Sequence, residues 1–181
     1  MPTPDLHSPT AISGRPPDQI AFLVEDIERS IAEWSRLRPG ERWSIYHYGP
    51  ANLTAPSYRG APGDFSMLLA FLGSDPQVEL VQPLTGPSIY HDWIAEHGYG
   101  FHHVGYHVRS LLEATEQLTS AGHEVIQSGR GYGLDGDGGF AYFDFETTLG
   151  AHLEVIEVPR RRRPSLDPQA FGILTASGST R

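Results

Sequence analysis

One stretch of this chain occurs twice, and no other feature constrains the fold as strongly. A shift of 84 (103 − 19) sets Gln19 on His103, Val24 on Val108, Ile27 on Leu111 and Trp34 on Leu118. Apolar positions then fall on apolar positions through a strand pattern and the helix pattern after it. Further on, PQVELVQP and AHLEVIEV align under a shift of 75 (154 − 79), with Glu79 on Glu154, Leu80 on Val155 and Val81 on Ile156. The halves differ by nine residues (84 − 75), an insertion most easily placed in the Pro- and Gly-containing loop of residues 49–64. A repeat of this length means two copies of one supersecondary unit, each burying its sheet against the other.

The order of elements within each copy follows from local pattern. Residues 19–24 (QIAFLV) form an apolar strand. Asp26 caps a helix on which Ile27, Ile31 and Trp34 recur at helical spacing, and Pro39-Gly40 stops it. Residues 43–48 (WSIYHY), 65–72 and 77–81 read as strands, with a short strand possible near Tyr58. A bridge follows, in which Ser88 caps a short helix carrying Tyr90, Trp93 and Ile94. The order then repeats as strand 103–108, helix 111–121, and strands 124–127, 140–145 and 151–157. Each copy is βαβββ, with modules at residues 18–83 and 101–159 and a bridge at 84–100. Residues 1–17 read as a mobile arm and 160–181 as a loosely attached tail. Strict alternation places His103, Gly105 and His107 on one face of their strand and His102, Val104 and Tyr106 on the other.

Composition narrows the class of function. The 181 residues contain no cysteine, which excludes disulfides, zinc–thiolate sites and thiol nucleophiles. A formal net charge of −9 argues against a general nucleic-acid or anionic-membrane partner. No apolar run approaches transmembrane length, and the N-terminal MPTPDLHSPT lacks the apolar stretch of a secretory signal, so a cytoplasmic location is expected. The four arginines of residues 160–163 read either as an anion site or as a solvated run at the domain edge.

The repeat singles out four polar residues. Gln19 and His103 start the first strand of each module, and Glu79 and Glu154 sit in the last strand of each, flanked by Val78 and Leu80 and by Leu153 and Val155. A lone carboxylate in a strand can simply face solvent. Two at equivalent positions, beside an equivalent Gln/His pair, read as a metal site. An amide oxygen, an imidazole and two carboxylates, with no sulfur, suit one divalent ion such as Zn, Ni, Co, Mn or Fe and leave positions open for water or substrate.

DQIAFLVEDIERS, QVELVQPL, GFHHVGYHV and AHLEVIEVP together resemble the vicinal oxygen chelate, or glyoxalase, superfamily over about residues 18–159. The resemblance implies an α+β fold in which two βαβββ modules form a cup-shaped mixed sheet. It implies one metal held at Gln19, Glu79, His103 and Glu154, and in many relatives a homodimer. It also implies chemistry on a carbon next to a carbonyl, with Glu154 and Glu79 moving the proton and a metal-stabilised enolate or enediolate as the intermediate. QVELVQPL, the short helix and GFHHVGYHV are most similar to methylmalonyl-CoA epimerase. The ligand types in order resemble the zinc form of glyoxalase I. Neither match is complete. No acid lies in residues 43–63, where epimerases of this group place a further glutamate, and no equivalent of the glutathione-holding arginines is found.

The expected function is therefore a metal-dependent isomerase, epimerase or lyase acting on a carbonyl compound or acyl thioester. A glyoxalase I-like lyase is a narrower form of it. A metal-free binding or resistance module is the non-enzymatic alternative, though such modules commonly lose the ligand set that is retained here. An extradiol dioxygenase needs two histidines and a carboxylate, and Gln19 occupies the place of the first histidine. Tyr46, Tyr48, Tyr58, Arg59, His107, Tyr142 and His152 lie on or near strands expected to line the cup and are its candidate substrate contacts.

Overall fold

The computed structural model describes Ile12 and residues 14–167. The first module runs β1 (Gln19–Leu23), α1 (Ile27–Leu37), β2 (Trp43–Tyr48), β3 (Thr54–Tyr58), β4 (Ala61–Pro62), β5 (Ser66–Leu72) and β6 (Gln77–Thr85). The bridging helix α2 (Ile89–His97) leads to β7 (Gly100–His107), α3 (Leu111–Ser120), β8 (Val125–Arg130), β9 (Gly139–Phe143), the short α4 (Glu146–Leu149) and β10 (His152–Glu157). Apart from the inserted β3–β4 pair, each half is the expected βαβββ unit. Asp26, Ser88 and Ser110 each cap the helix that follows by accepting from a backbone N–H three residues on.

The strands form one curled mixed sheet in the order β2-β5-β6-β1-β7-β10-β9-β8-β3-β4. Its centre is the antiparallel pair β1–β7, with β6 parallel to β1 and β10 parallel to β7. The four strands that carry Glu79, Gln19, His103 and Glu154 are thus neighbours. Their register sets two rows across the sheet, Glu79–Ala21–His103–His152 and Gln77–Gln19–Gly105–Glu154. Ala21 and Gly105, equivalent in the repeat, are the small residues over which the longer side chains lean.

Amphipathic helices cover the convex face. Ile27 and Ile31 of α1 pack on Ile45, Ala70, Leu72, Val78 and Leu80, while Leu111, Ala114 and Leu118 of α3 pack on Ala141, Phe143, Leu153 and Val155. Each large apolar side chain so buried contributes about 1.5–3 kcal/mol. The concave face is lined by a separate, aromatic-rich cluster that includes Tyr46, Tyr48, Phe71, Tyr132, Phe140 and Tyr142, joined by Tyr90 and Trp93 of α2.

Three features depart from the sequence pattern. Where β7 meets β1 the register slips, with Ala21 opposite His103 but Phe22 opposite Phe101, so His102 is the extra residue of a β-bulge. Its ring lies 6.2 Å from that of Tyr142 on the concave side, where His103 lies 5.0 Å from the same ring. The expected assignment of His102 to the opposite face is therefore corrected. Second, the β3–β4 hairpin of the first module pairs with β8, the outer strand of the second. Third, residues 159–166 do not trail away. Leu134 N–H donates to Arg161 O at 2.9 Å, and Leu166 N–H to Ile45 O at 2.8 Å. Ile45 N–H in turn donates to Ser165 Oγ at 2.9 Å. The segment is a strap from the loop before β9 to the edge strand β2. The arm expected over residues 1–17 lies mostly outside the described residues, as does the tail beyond 167.

A candidate metal centre in the cup

The two symmetry-related glutamates converge on one imidazole nitrogen. His103 Nε2 lies 3.1 Å from Glu79 Oε2 and 3.2 Å from Glu154 Oε2, and all three residues are buried. Gln19, 2% exposed, donates from Nε2 to Gln77 Oε1 at 3.1 Å, which leaves its Oε1 buried without a hydrogen-bond partner. A buried carbonyl oxygen without a donor is costly, and beside two carboxylates and an imidazole it has the chemistry of a fourth cation ligand. The donor set fits a divalent ion. The other acidic and histidine cluster among the described residues, Glu96, His97 and Glu146, is on the surface.

Electrostatics support the same reading. Burial alone pushes His103 towards its neutral form, but the charge and hydrogen bond of Glu154, with those of Glu79, overcome it and raise the imidazole to about 9. Glu79 is raised, chiefly by burial and further by the Glu154 charge, against the pull of His103 and Arg162. In the metal-free protein a proton on His103 supplies the positive charge between the glutamates. His103 Nδ1 lies 2.8 Å from His102 Nδ1. Burial, then the charges of His103 and His152, push His102 well below the usual histidine range, so it is neutral and accepts the His103 Nδ1–H. That bond fixes the His103 ring with Nε2 towards the carboxylates. The bulge makes it possible by bringing adjacent residues to one side of the sheet.

Comparison with known proteins agrees with this architecture. Residues 18–143 match the family model described as the glyoxalase/bleomycin resistance protein/dioxygenase superfamily. The chain belongs to that superfamily. No curated protein matches it in sequence. Among solved structures, it resembles a hypothetical protein from Bacillus halodurans at 20% identity and a TM-score of 0.58, over 83% of this chain and 99% of that one. It resembles methylmalonyl-CoA epimerase from Mycobacterium tuberculosis at 18% identity and a TM-score of 0.51, over 85% and 91%. A variant of the Streptomyces coelicolor epimerase, in complex with 2-nitronate-propionyl-CoA, matches at 17% identity and a TM-score of 0.56, over 82% and 97%.

In this superfamily member the cup holds only some of the residues expected to touch substrate. Tyr48 and Tyr142 line the cavity with Gln19, Glu79 and Glu154, and Tyr46 packs beside it. Tyr58 and Arg59 instead bind Asp92 of α2, at 2.9 and 2.7 Å, outside the cavity. His152 is buried under Trp93, with ring centroids 5.0 Å apart. His107 faces a surface depression beside Arg109. These four positions lie outside the lining of this cavity.

The lining also includes residues with no sequence signal. Tyr90 Oη donates to Tyr142 Oη at 3.0 Å, and Tyr132, from the glycine-rich loop, stacks on Tyr48 at 4.8 Å. Burial pushes the hydroxyls of Tyr48, Tyr90, Tyr132 and Tyr142 up, so all four stay neutral. Arg162, from the strap, completes the wall. Among the described residues, no helix is long and apolar enough to cross a membrane.

Proposed function

We propose that this chain is a divalent-metal-dependent isomerase or epimerase, or a lyase of the same chemistry, acting on a carbon next to a carbonyl. One observation carries the reading: the buried convergence of Glu79, His103 and Glu154 beside the unpartnered Gln19 Oε1. An ion held by these four would stabilise the negative charge that develops on the carbonyl oxygen as the neighbouring carbon loses a proton. Glu79 and Glu154 are the carboxylates that line the cavity, and such groups take and return protons. They stand on β6 and β10, the outer two of the four central strands, so they flank the floor on which substrate would lie. One takes the proton and the other gives it back on the opposite side, which is epimerisation. Delivering it instead to the former carbonyl carbon moves the carbonyl to the neighbouring position, which is isomerisation, and an enolate that expels a leaving group from the next carbon gives a lyase. Neutral Tyr142 and Tyr90 supply hydrogen bonds without adding negative charge. Met67, Leu69, Phe71, Phe140 and Ile156 keep the walls dry.

The test has two stages. Chelator-stripped protein is reconstituted with each candidate ion and its metal content measured. About one ion per chain is expected, from four ligands of one site, and His103→Ala should lose it. Wild-type uptake no greater than that of His103→Ala would remove the metal from the reading. Solvent deuterium incorporation into a panel of carbonyl compounds and acyl thioesters then reports proton transfer. Glu154→Gln should lower it by about 100-fold, with Glu79→Gln milder. Undiminished exchange in the double variant would take the glutamates out of the mechanism.

A further inference from the structure

We propose that Arg162 selects the substrate, and that what it selects is a carboxylate carried close to the reacting carbonyl; this deepens the metal-dependent reading above and rests on it. The four arginines of the strap have different fates. Arg160 and Arg161 point outwards and pair with Asp137 and Asp135 on the rim. Arg163 donates from Nε to Tyr132 O at 3.2 Å. Arg162 turns inward and lines the same cavity as Gln19, Glu79 and Glu154.

Its guanidinium carbon lies 5.1 Å from the Phe71 ring centroid, 5.7 Å from Tyr46 and 6.0 Å from Tyr132. Aromatic faces hold a guanidinium by cation–π attraction and cannot neutralise it. Among the described residues no carboxylate lies within ion-pair distance of it, although Arg160 and Arg161, just before it, have found theirs. The strap is tied at both ends, through Leu134 and Ile45, so the inward turn is built into the fold.

The charge count points to the ligand. With a divalent ion on Glu79 and Glu154, two negative charges meet two positive ones, and Arg162 is left as the uncompensated charge of the cup. A monoanion balances it. The cavity measures only about 30 Å³ with Arg162 in its wall, and an anion paired with the guanidinium would offset the stacking lost when the wall gives way to substrate. A planar carboxylate meets the planar fork with two parallel hydrogen bonds.

The test compares 2-oxobutanoate, its neutral amide 2-oxobutanamide and inorganic phosphate as probes. Binding is followed by thermal shift and ligand-observed NMR on metal-loaded and chelator-treated full-length protein. The acid should bind and the amide should not. Arg162→Met should weaken the acid by about tenfold or more, the range for a charge-assisted bidentate pair, and Arg162→Lys should fall between. Arg161→Met, on the rim, should change nothing. Equal binding of acid and amide, no binding of the acid, phosphate binding as well as the acid, or an Arg162→Met variant that binds like wild type would each overturn the assignment. The two readings fail separately. Arg162-dependent binding of the acid without metal uptake or deuterium exchange would sink only the metal-dependent reading. Exchange on neutral carbonyl compounds that is indifferent to Arg162→Met would sink only this one.

Discussion

Gly105 is the residue at which a single methyl group should disarm the proposed metal site without replacing any of its four ligands. A Cβ built there would sit 2.8 Å from Gln19 Oε1, 3.1 Å from Gln19 Cβ and 3.0 Å from Ile156 Cδ1. The first contact is too short, and the softest group to move is the Gln19 amide, which leans over Gly105 from the facing strand. Gly105→Ala should therefore displace the amide oxygen from the site. The expected loss in metal affinity is about 10–100-fold, the scale for disturbing the support of a ligand. Overpacking costs about 1–3 kcal/mol of stability, partly offset by the lower chain entropy of alanine, about 0.4–1 kcal/mol. Chelator competition measures the affinity, and a cycle with Gln19→Ala isolates the cause. Once the long side chain is gone, the added methyl has room, and Gly105→Ala should cost no further affinity. If the two losses simply add, or if Gly105→Ala binds metal like wild type, the reasoning is wrong.

The metal-free protein should respond to pH through His103. Its folded value, about 9, lies above the ordinary 6.5. Its contribution to stability is thus fully present below about pH 6.5 and lost as pH rises through 9. Glu79, Glu154, His102 and Arg162 are the charged and titratable groups around it. Denaturant titrations of chelator-treated protein should show a decline over this window, absent in His103→Ala, and a flat profile would contradict the protonated imidazole. Metal affinity should rise over the same window, because ligation needs the neutral ring. His102→Ala should keep the site but weaken metal binding by about 10–100-fold, as expected for a group that orients a ligand. Loss as complete as in His103→Ala would make His102 a ligand in its own right.

Much of this molecule was legible because it is periodic and doubled. The apolar spacing of Ile27, Ile31 and Trp34, and of their counterparts Leu111 and Leu118, marks the helices that cover the convex face. Glu79 and Glu154 stand out because each interrupts an apolar strand at the same place in the repeat. What was not legible depends on partners remote in sequence. The bulge at His102 exists because β7 slips against β1, and nothing in GFHHVGYHV announces it. Four consecutive arginines look alike, and only Asp137, Asp135 and Ile45, far along the chain, decide which one turns inward. Tyr58 and Arg59 sit in the loop where the modules differ, and pairing with β8 aims them at α2 instead of the cup.

The strap has a consequence for the order of events during synthesis. The proposed ligand set is complete at Glu154, whereas Arg162 follows eight residues later (162 − 154) and the anchor on β2 only at Ser165 and Leu166. The Ser165–Ile45 bond spans 120 positions, and such long-range closures form late in folding. A nascent chain is therefore expected to pass through a stage in which the glutamates and His103 stand in an open bowl. An ion can be taken up directly from solvent at that stage. With the strap in place Arg162 stands in the wall of the cavity, and exchange of an ion held at the proposed site is expected to be slower than its first uptake.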